Sequence, residues 1–182
     1  MRLFAGIKLP DLVRDHLCST LESISTSRTS PRNPWGPSSN WHITLGFFGE
    51  QSEVAVDEIA AVLREVAGST PPFDVNLAGA GVFHHDICWI GVNDPSKALG
   101  PLAQGVRRGY ATDDQHTKNR FHVTISRQGR RLGLEDLMTA LAVYRGPVWR
   151  VDQVTLFRSD LGEGPGGHPL YTPIAEEVLL GS

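Results

Sequence analysis

The stretch Trp41-His42-Ile43-Thr44-Leu45-Gly46-Phe47-Phe48 alternates polar and apolar side chains at its centre, and its β-branched and aromatic residues suit a pleated strand. Successive side chains on a strand point to opposite faces, so His42 and Thr44 share one face about 7 Å apart while Ile43 and Leu45 share the other. The second half of the chain repeats this grammar in His122-Val123-Thr124-Ile125. Either stretch alone reads most simply as a strand with a hydrogen-bonded structural histidine. Two of them, each entered from a polar loop and each followed by a helical pattern, point instead to paired strands that deliver four polar groups to one cleft.

Outward from these strands the chain alternates strand and helix. Arg2 to Lys8 reads as a strand. After Pro10, the apolar residues Leu12, Val13, Leu17, Leu21 and Ile24 recur at helical spacing, and residues 25 to 40 form a loop rich in Ser, Thr, Pro and Asn. Glu53 to Ala67 predicts a second helix, stopped by Gly68 with Pro71 and Pro72. Strands are expected at FDVNLAG and ICWIGV, a helix from about Ser96 to Gly109, and the polar loop ATDDQHTKNR before FHVTIS. A helix over Leu134 to Tyr144, a strand VWRVDQVTLF, a Gly/Pro-rich loop from Leu161 to Pro169 and a last strand from Leu170 or Tyr171 complete the chain. This loose duplication predicts two α+β lobes rather than one doubly wound sheet.

The 182 residues are 40% hydrophobic and 20% charged, with 19 Gly and 12 Pro, which fits a folded, turn-rich protein and excludes collagen, a coiled coil and an intrinsically disordered tail. A chain of this length buries about 70% of its unfolded surface and folds without disulfides. Its net charge of −3 and pI near 6.1 argue against nonspecific coating of nucleic acid, which rests on many phosphate neutralisations. Cys18 and Cys88 form no CxxC and read as reduced, buried thiols. The opening MRLFAGIKLP is too short for a secretory leader and no stretch reaches the ~18 apolar residues of a membrane span, so a cytoplasmic protein with no membrane partner is expected.

Two imidazoles facing one cleft suit acid and base chemistry near neutral pH, because an unperturbed pKa of about 6.5 leaves both protonation states accessible. Two threonine hydroxyls beside them are neutral donors for the non-bridging oxygens of a phosphate. The set fits metal-free cleavage of a phosphodiester. No P-loop, no GxGxxG after a strand and no GxSxG occurs, so nucleoside-triphosphate hydrolysis, dinucleotide binding and α/β-hydrolase chemistry lack their usual supports.

With RLFAGIKLP at the start, Trp35-Gly36-Pro37-Ser38-Ser39-Asn40 before the first motif, Phe47-Phe48-Gly49-Glu50 after it, and HVTISR later, the chain resembles the bacterial RNA 2′,3′-cyclic phosphodiesterases, or 2′-5′ RNA ligase family, within the 2H phosphoesterases. The resemblance spans nearly the whole chain, including Leu156 to Leu161 and Tyr171. Where the family commonly has Pro before its second His and Leu-Ala after its Thr, this chain has Phe121 and Ile125-Ser126. The resemblance implies a single bilobal domain over residues 1–182, with two intertwined, pseudo-symmetric lobes of antiparallel sheet and helices around a central cleft. It implies hydrolysis of a terminal 2′,3′-cyclic phosphate to a 2′-phosphomonoester without cofactor or metal, His42 being the proton donor and His122 the acceptor. Thr44 and Thr124 would bind phosphate oxygens, and Arg127 would add a charge-assisted contact. The expected partners are RNA ends or small nucleotides bearing a cyclic phosphate, met by a monomer. Phosphodiesterase action on 2′-5′ oligonucleotides or on an ADP-ribose-type cyclic phosphate, RNA ligation, and a nucleotide-binding module without turnover are the alternatives.

Seven basic residues, Arg107, Arg108, Lys118, Arg120, Arg127, Arg130 and Arg131, bracket the second motif against only Asp113 and Asp114. They form either a solvated face or a surface that draws in phosphate. Trp35, Trp41, Phe48 and Phe83 could stack a base, although core packing is the expected role for most of them. His84-His85, His116 and His168 lack nearby Cys or paired carboxylates and read as loop histidines rather than zinc ligands.

Overall fold

A computed structural model of the chain describes residues 1–25, 34–110, 120–129 and 133–182. Eight strands form one antiparallel sheet: β1 (Arg2–Lys8), β2 (His42–Glu50), β3 (Phe73–Phe83), β4 (Ile87–Asn93), β5 (His122–Ser126), β6 (Arg145–Val151), β7 (Gln153–Asp160) and β8 (Leu170–Val178). Their order across the sheet is β6-β3-β4-β5-β2-β1-β7-β8. The α-helices among the described residues include α1 (Asp11–Ser25), α2 (Glu53–Ser69), α3 (Leu99–Val106) and α4 (Glu135–Ala140), the last continued by a 3₁₀ turn over Leu141–Val143. Lys118, His116, Arg130, Arg131 and most of the loop before the second motif lie outside the described residues.

Each half of the sheet is a four-strand set, and the two sets meet where β2 pairs with β5 at the single position Ile43 opposite Val123. Ile43, Leu45, Val123 and Ile125 are all buried in one hydrophobic core, together with Val13, Leu17 and Leu21 of α1 and Ile59, Leu63 and Val66 of α2. The helices form because those residues recur at i, i+3 and i+4 and so present one apolar stripe to the sheet. Ser52 caps α2, its hydroxyl accepting from the Ala55 amide at 3.3 Å.

The run VWRVDQVTLF, read from sequence as one strand, is two. β6 and β7 are separated by Asp152 alone, yet they stand first and seventh in the sheet. A flat sheet would hold them roughly 29 Å apart at about 4.8 Å per strand, whereas two Cα steps reach at most ~7 Å. The sheet therefore curls until its first and seventh strands come together, and the amide of Leu179 closes this junction by donating to the Asp152 carbonyl at 2.8 Å. Gly68 does not stop α2 either. It stays in the helix without a positive φ, and the chain leaves through Thr70 toward Pro71 and Pro72, which cannot continue the ladder. The predicted helix over Ser96 to Gly109 contracts to α3, whose start is fixed by Asp94, its carboxylate accepting from the Leu99 amide at 2.8 Å.

Candidate active site

Strand alternation places His42, Thr44, His122 and Thr124 on the side opposite the core, where all four line one cavity of about 840 Å³ together with Arg127. Counting outward from the Ile43–Val123 pair sets His42 across from Thr124 and Thr44 across from His122. The two histidines are then diagonal neighbours, about 7–8 Å apart in a regular antiparallel ladder, a gap that a phosphate group spans.

Each imidazole is held the same way. Nδ1 of His42 donates to the carbonyl of Asn40 at 2.7 Å, and Nδ1 of His122 donates to the carbonyl of Arg120 at 2.8 Å. A carbonyl can only accept, so the proton sits on Nδ1 of both rings and Nε2 is the nitrogen left for chemistry. The rings are also braced alike from the neighbouring strands. His42 packs against Phe4 at 4.7 Å and Phe157 at 6.1 Å, with Phe4 and Phe157 stacked on each other at 4.8 Å. His122 packs against Phe83 at 5.1 Å and Trp89 at 6.1 Å, which are stacked at 5.1 Å. Tyr171 of β8 adds an edge-on contact to His42 at 5.3 Å.

This packing sets the charge state. Burial holds the His42 pKa down to about 4; the hydrogen bond to the Asn40 carbonyl opposes the shift, and the positive charges of Arg127 and His122 add to it. His122 is lowered by burial too, with the Arg120 carbonyl opposing and Arg127 reinforcing. The surroundings of both rings thus favour the neutral imidazole. Arg127 is exposed, lines the same cavity, and its charge acts on both imidazoles.

Several cavity residues carry no signal in the sequence pattern. Asn40 is one: its side-chain amide donates to the Pro169 carbonyl at 2.7 Å and so fastens the β7–β8 loop to the rim. Ser126 is another, its hydroxyl donating to the Pro34 carbonyl at 2.8 Å, while the Gly36 amide donates to Ile125 at 2.8 Å, so the segment before β2 is strapped across β5. The Gly-Pro spacing of that segment marks a loop but not its destination. Of the aromatic residues considered for base stacking, Phe48 is fully buried in the core, while Trp35, Trp41 and Phe83 reach the cavity wall. His84 and His168 also line the cavity, and His85 faces Glu135 at 3.8 Å. Among the described residues no three His, Cys, Asp or Glu side chains converge as a metal site, and no helix is long and apolar enough to cross a membrane. Cys88 is buried and Cys18 partly so, and neither is in a disulfide.

The model of the 2′-5′ RNA ligase superfamily matches residues 13–163, which carry both motifs. The chain belongs to that superfamily. Within it, the chain is 27% identical over 184 residues to an RNA 2′,3′-cyclic phosphodiesterase of Methanothermobacter thermautotrophicus, covering 94% of this chain and 95% of the relative. It is 31% identical over 157 residues to an RNA 2′,3′-cyclic phosphodiesterase of Aquifex aeolicus, covering 81% of each. A crystal structure of a Thermus thermophilus protein superposes with a TM-score of 0.75 at 26% identity, covering 100% of this chain and 99% of that one. The α+β architecture expected from sequence is thus the superfamily's fold, realised here as one curled eight-stranded sheet with helices.

Proposed function

We propose that this superfamily member hydrolyses terminal 2′,3′-cyclic phosphates of RNA to 2′-phosphomonoesters without a metal. The observation that carries the reading is the matched pair of imidazoles, each with Nδ1 anchored to a carbonyl two residues earlier and Nε2 left for one shared cavity. The relatives named RNA 2′,3′-cyclic phosphodiesterase support the substrate class.

In this reading the cyclic phosphate lies between the two rings, its non-bridging oxygens accepting from the hydroxyls of Thr44 and Thr124 and from Arg127. Nε2 of His122 takes a proton from a water as the water oxygen bonds to phosphorus. The bond from phosphorus to O3′ breaks on the far side, and His42 gives its Nε2 proton to the departing oxygen. The product is a 2′-phosphate and a free 3′-hydroxyl.

His42 is a poor proton carrier in the empty site, because burial and Arg127 both oppose its charged form. A bound anionic phosphate opposes this shift: it neutralises Arg127 and offers a counter-charge to the imidazolium. Substrate thus favours the charged form of the donor.

The test is hydrolysis of an oligonucleotide ending in a 2′,3′-cyclic phosphate, in chelator, with the product phosphate located by NMR. His42→Ala and His122→Ala should each lose roughly 10²-fold to 10⁴-fold in turnover, the usual worth of a positioned acid or base. Full activity in both variants, or a 3′-phosphate product, would reject the reading.

A further inference from the structure

The cavity is larger than the four-residue tile at its centre needs, and its cationic groups stand toward both ends. Arg127 follows Ser126 at the end of β5, and because β5 runs antiparallel to β2 it stands toward the His42 end. Arg107 enters elsewhere. It follows α3 directly, its Nε donates to the Leu45 carbonyl at 2.6 Å, and it lines the cavity.

Gly46 is what admits it. Position 46 lies where β2 shifts register against β1, with Thr44 opposite Gly6 but Gly46 opposite Ala5, and a Cβ there would meet Cγ of Arg107 at 2.9 Å. The bare glycine backbone lets the arginine stem lie flat on β2, and the Leu45 carbonyl then fixes the plane of the guanidinium. Thr44 stands across from His122, so this end of the catalytic tile is also the one that Arg120, two residues before His122, adjoins. Arg120 lines the same cavity, with its guanidinium 5.2 Å from the Trp89 ring centre. Two residues of strand span about 7 Å, the order of the distance between neighbouring phosphates on one nucleic acid strand.

We propose that Arg107, backed by Arg120, forms a subsite for a second phosphate of the substrate, the one attached to the 5′ oxygen of the terminal nucleotide. The proposal rests on the cyclic phosphodiesterase reading and deepens it: the substrate is a chain end or a 5′-phosphorylated nucleotide rather than a bare nucleoside cyclic phosphate. Arg107 sets specificity and takes no part in the proton transfers.

The experiment compares kcat/KM on three substrates sharing one base: a nucleoside 2′,3′-cyclic phosphate, the same compound with a 5′-phosphate, and a dinucleotide ending in the cyclic phosphate. The wild-type protein should favour the second and third over the first by roughly 10-fold to 100-fold, the worth of a charge-assisted hydrogen bond. Arg107→Met, which keeps the stem against Gly46, should erase most of that preference through KM, and Arg107→Lys should restore part of it. Equal wild-type efficiency on all three substrates, or a loss in Arg107→Met that is the same for all three, overturns the subsite while leaving the activity standing. Should Arg107→Met fold poorly, the wild-type preference and the Lys variant decide alone. A wild-type protein that hydrolyses none of the three overturns the activity and the subsite together.

Discussion

Asn40 and His42 form a relay two residues long: the Asn40 side chain holds the Pro169 carbonyl at 2.7 Å while its own carbonyl accepts Nδ1 of His42 at the same distance. The β7–β8 loop, 129 positions away in sequence, thereby steadies the group that orients the His42 ring. Asn40→Ala keeps the carbonyl but releases its anchor. It should cost about 1 kcal/mol of stability and lower kcat by roughly 10-fold through a looser imidazole. Asn40→Asp, whose carboxylate would face the Pro169 carbonyl without a proton to give, should do worse than Ala. Urea unfolding and steady-state kinetics on both variants check this, and an Ala variant with wild-type kcat would remove the positioning role.

The two lowered imidazoles predict an acid-shifted profile. In the proposed mechanism the productive free protein has one ring charged and one neutral, so kcat/KM should peak between their pKa values, below pH 6.5, and fall on either side. Bound phosphate favours the charged rings, so the kcat profile should lie at higher pH than the kcat/KM profile. Arg127→Met removes a positive charge that opposes both imidazolium ions, so both pKa values should rise in the free protein while KM worsens. Histidine NMR titrations and pH–rate curves report these directions, and a kcat/KM optimum above pH 7 would contradict them.

The sheet, the helices and the inward rows were legible because they depend on periodicity. His42 and Thr44 face the cavity for the same reason that Ile43 and Leu45 are buried, and α1 and α2 appear where apolar residues recur at helical spacing. Long-range contacts left no such mark. Nothing in VWRVDQVTLF announces that Asp152 parts two strands six places apart in the sheet, because strand partners are set by tertiary pairing. Arg107 read only as one member of a basic run. Its contact with Leu45 spans 62 positions, and nothing in the sequence sets it against Gly46. Tyr171, edge-on to His42, is likewise visible only once β8 is placed beyond β7.

Protein stability should carry the signature of His42 as well. Its folded pKa of about 4 lies below the unfolded value near 6.5, so the unfolded state binds the extra proton and stability falls as pH drops from 6.5 toward 4. At about 1.4 kcal/mol per pKa unit the loss from this group approaches about 3 kcal/mol at the acid end. His122 acts with the same sign. His42→Gln cannot titrate, so the gap between variant and wild type should move in the variant's favour by about that amount between pH 7 and pH 4. Denaturant unfolding of both proteins across this range measures it, and parallel curves would show that the buried imidazole is not held neutral.

Thr44 and Thr124 are expected to act through their hydroxyls alone. Valine has the same shape and a strong preference for strands, so Thr44→Val and Thr124→Val should fold normally. Each should lose roughly 10-fold to 100-fold in kcat/KM, the value of one hydrogen bond to a charged phosphate oxygen. Serine at either position should recover most of the loss, and valine variants with undiminished kcat/KM would assign phosphate binding to other groups.

Gly6 gives the most local control over His42. It pairs with Thr44 across β1 and β2, and a Cβ at this position would meet the Ile43 carbonyl oxygen at 2.8 Å and Cδ2 of His42 at 3.3 Å. The first contact is with backbone and cannot rotate away, so Gly6→Ala must push β2 aside. Such overpacking costs about 1–3 kcal/mol. It acts on the strand that carries His42 and Thr44, and leaves His122, on β5, braced by Phe83 and Trp89 as before. The expected result is a folded, less stable protein in which kcat falls and the His42 resonance and pKa shift while those of His122 hold. Equal displacement of both histidines would show that the two halves of the sheet move as one rigid body rather than hinging at the single Ile43–Val123 pair.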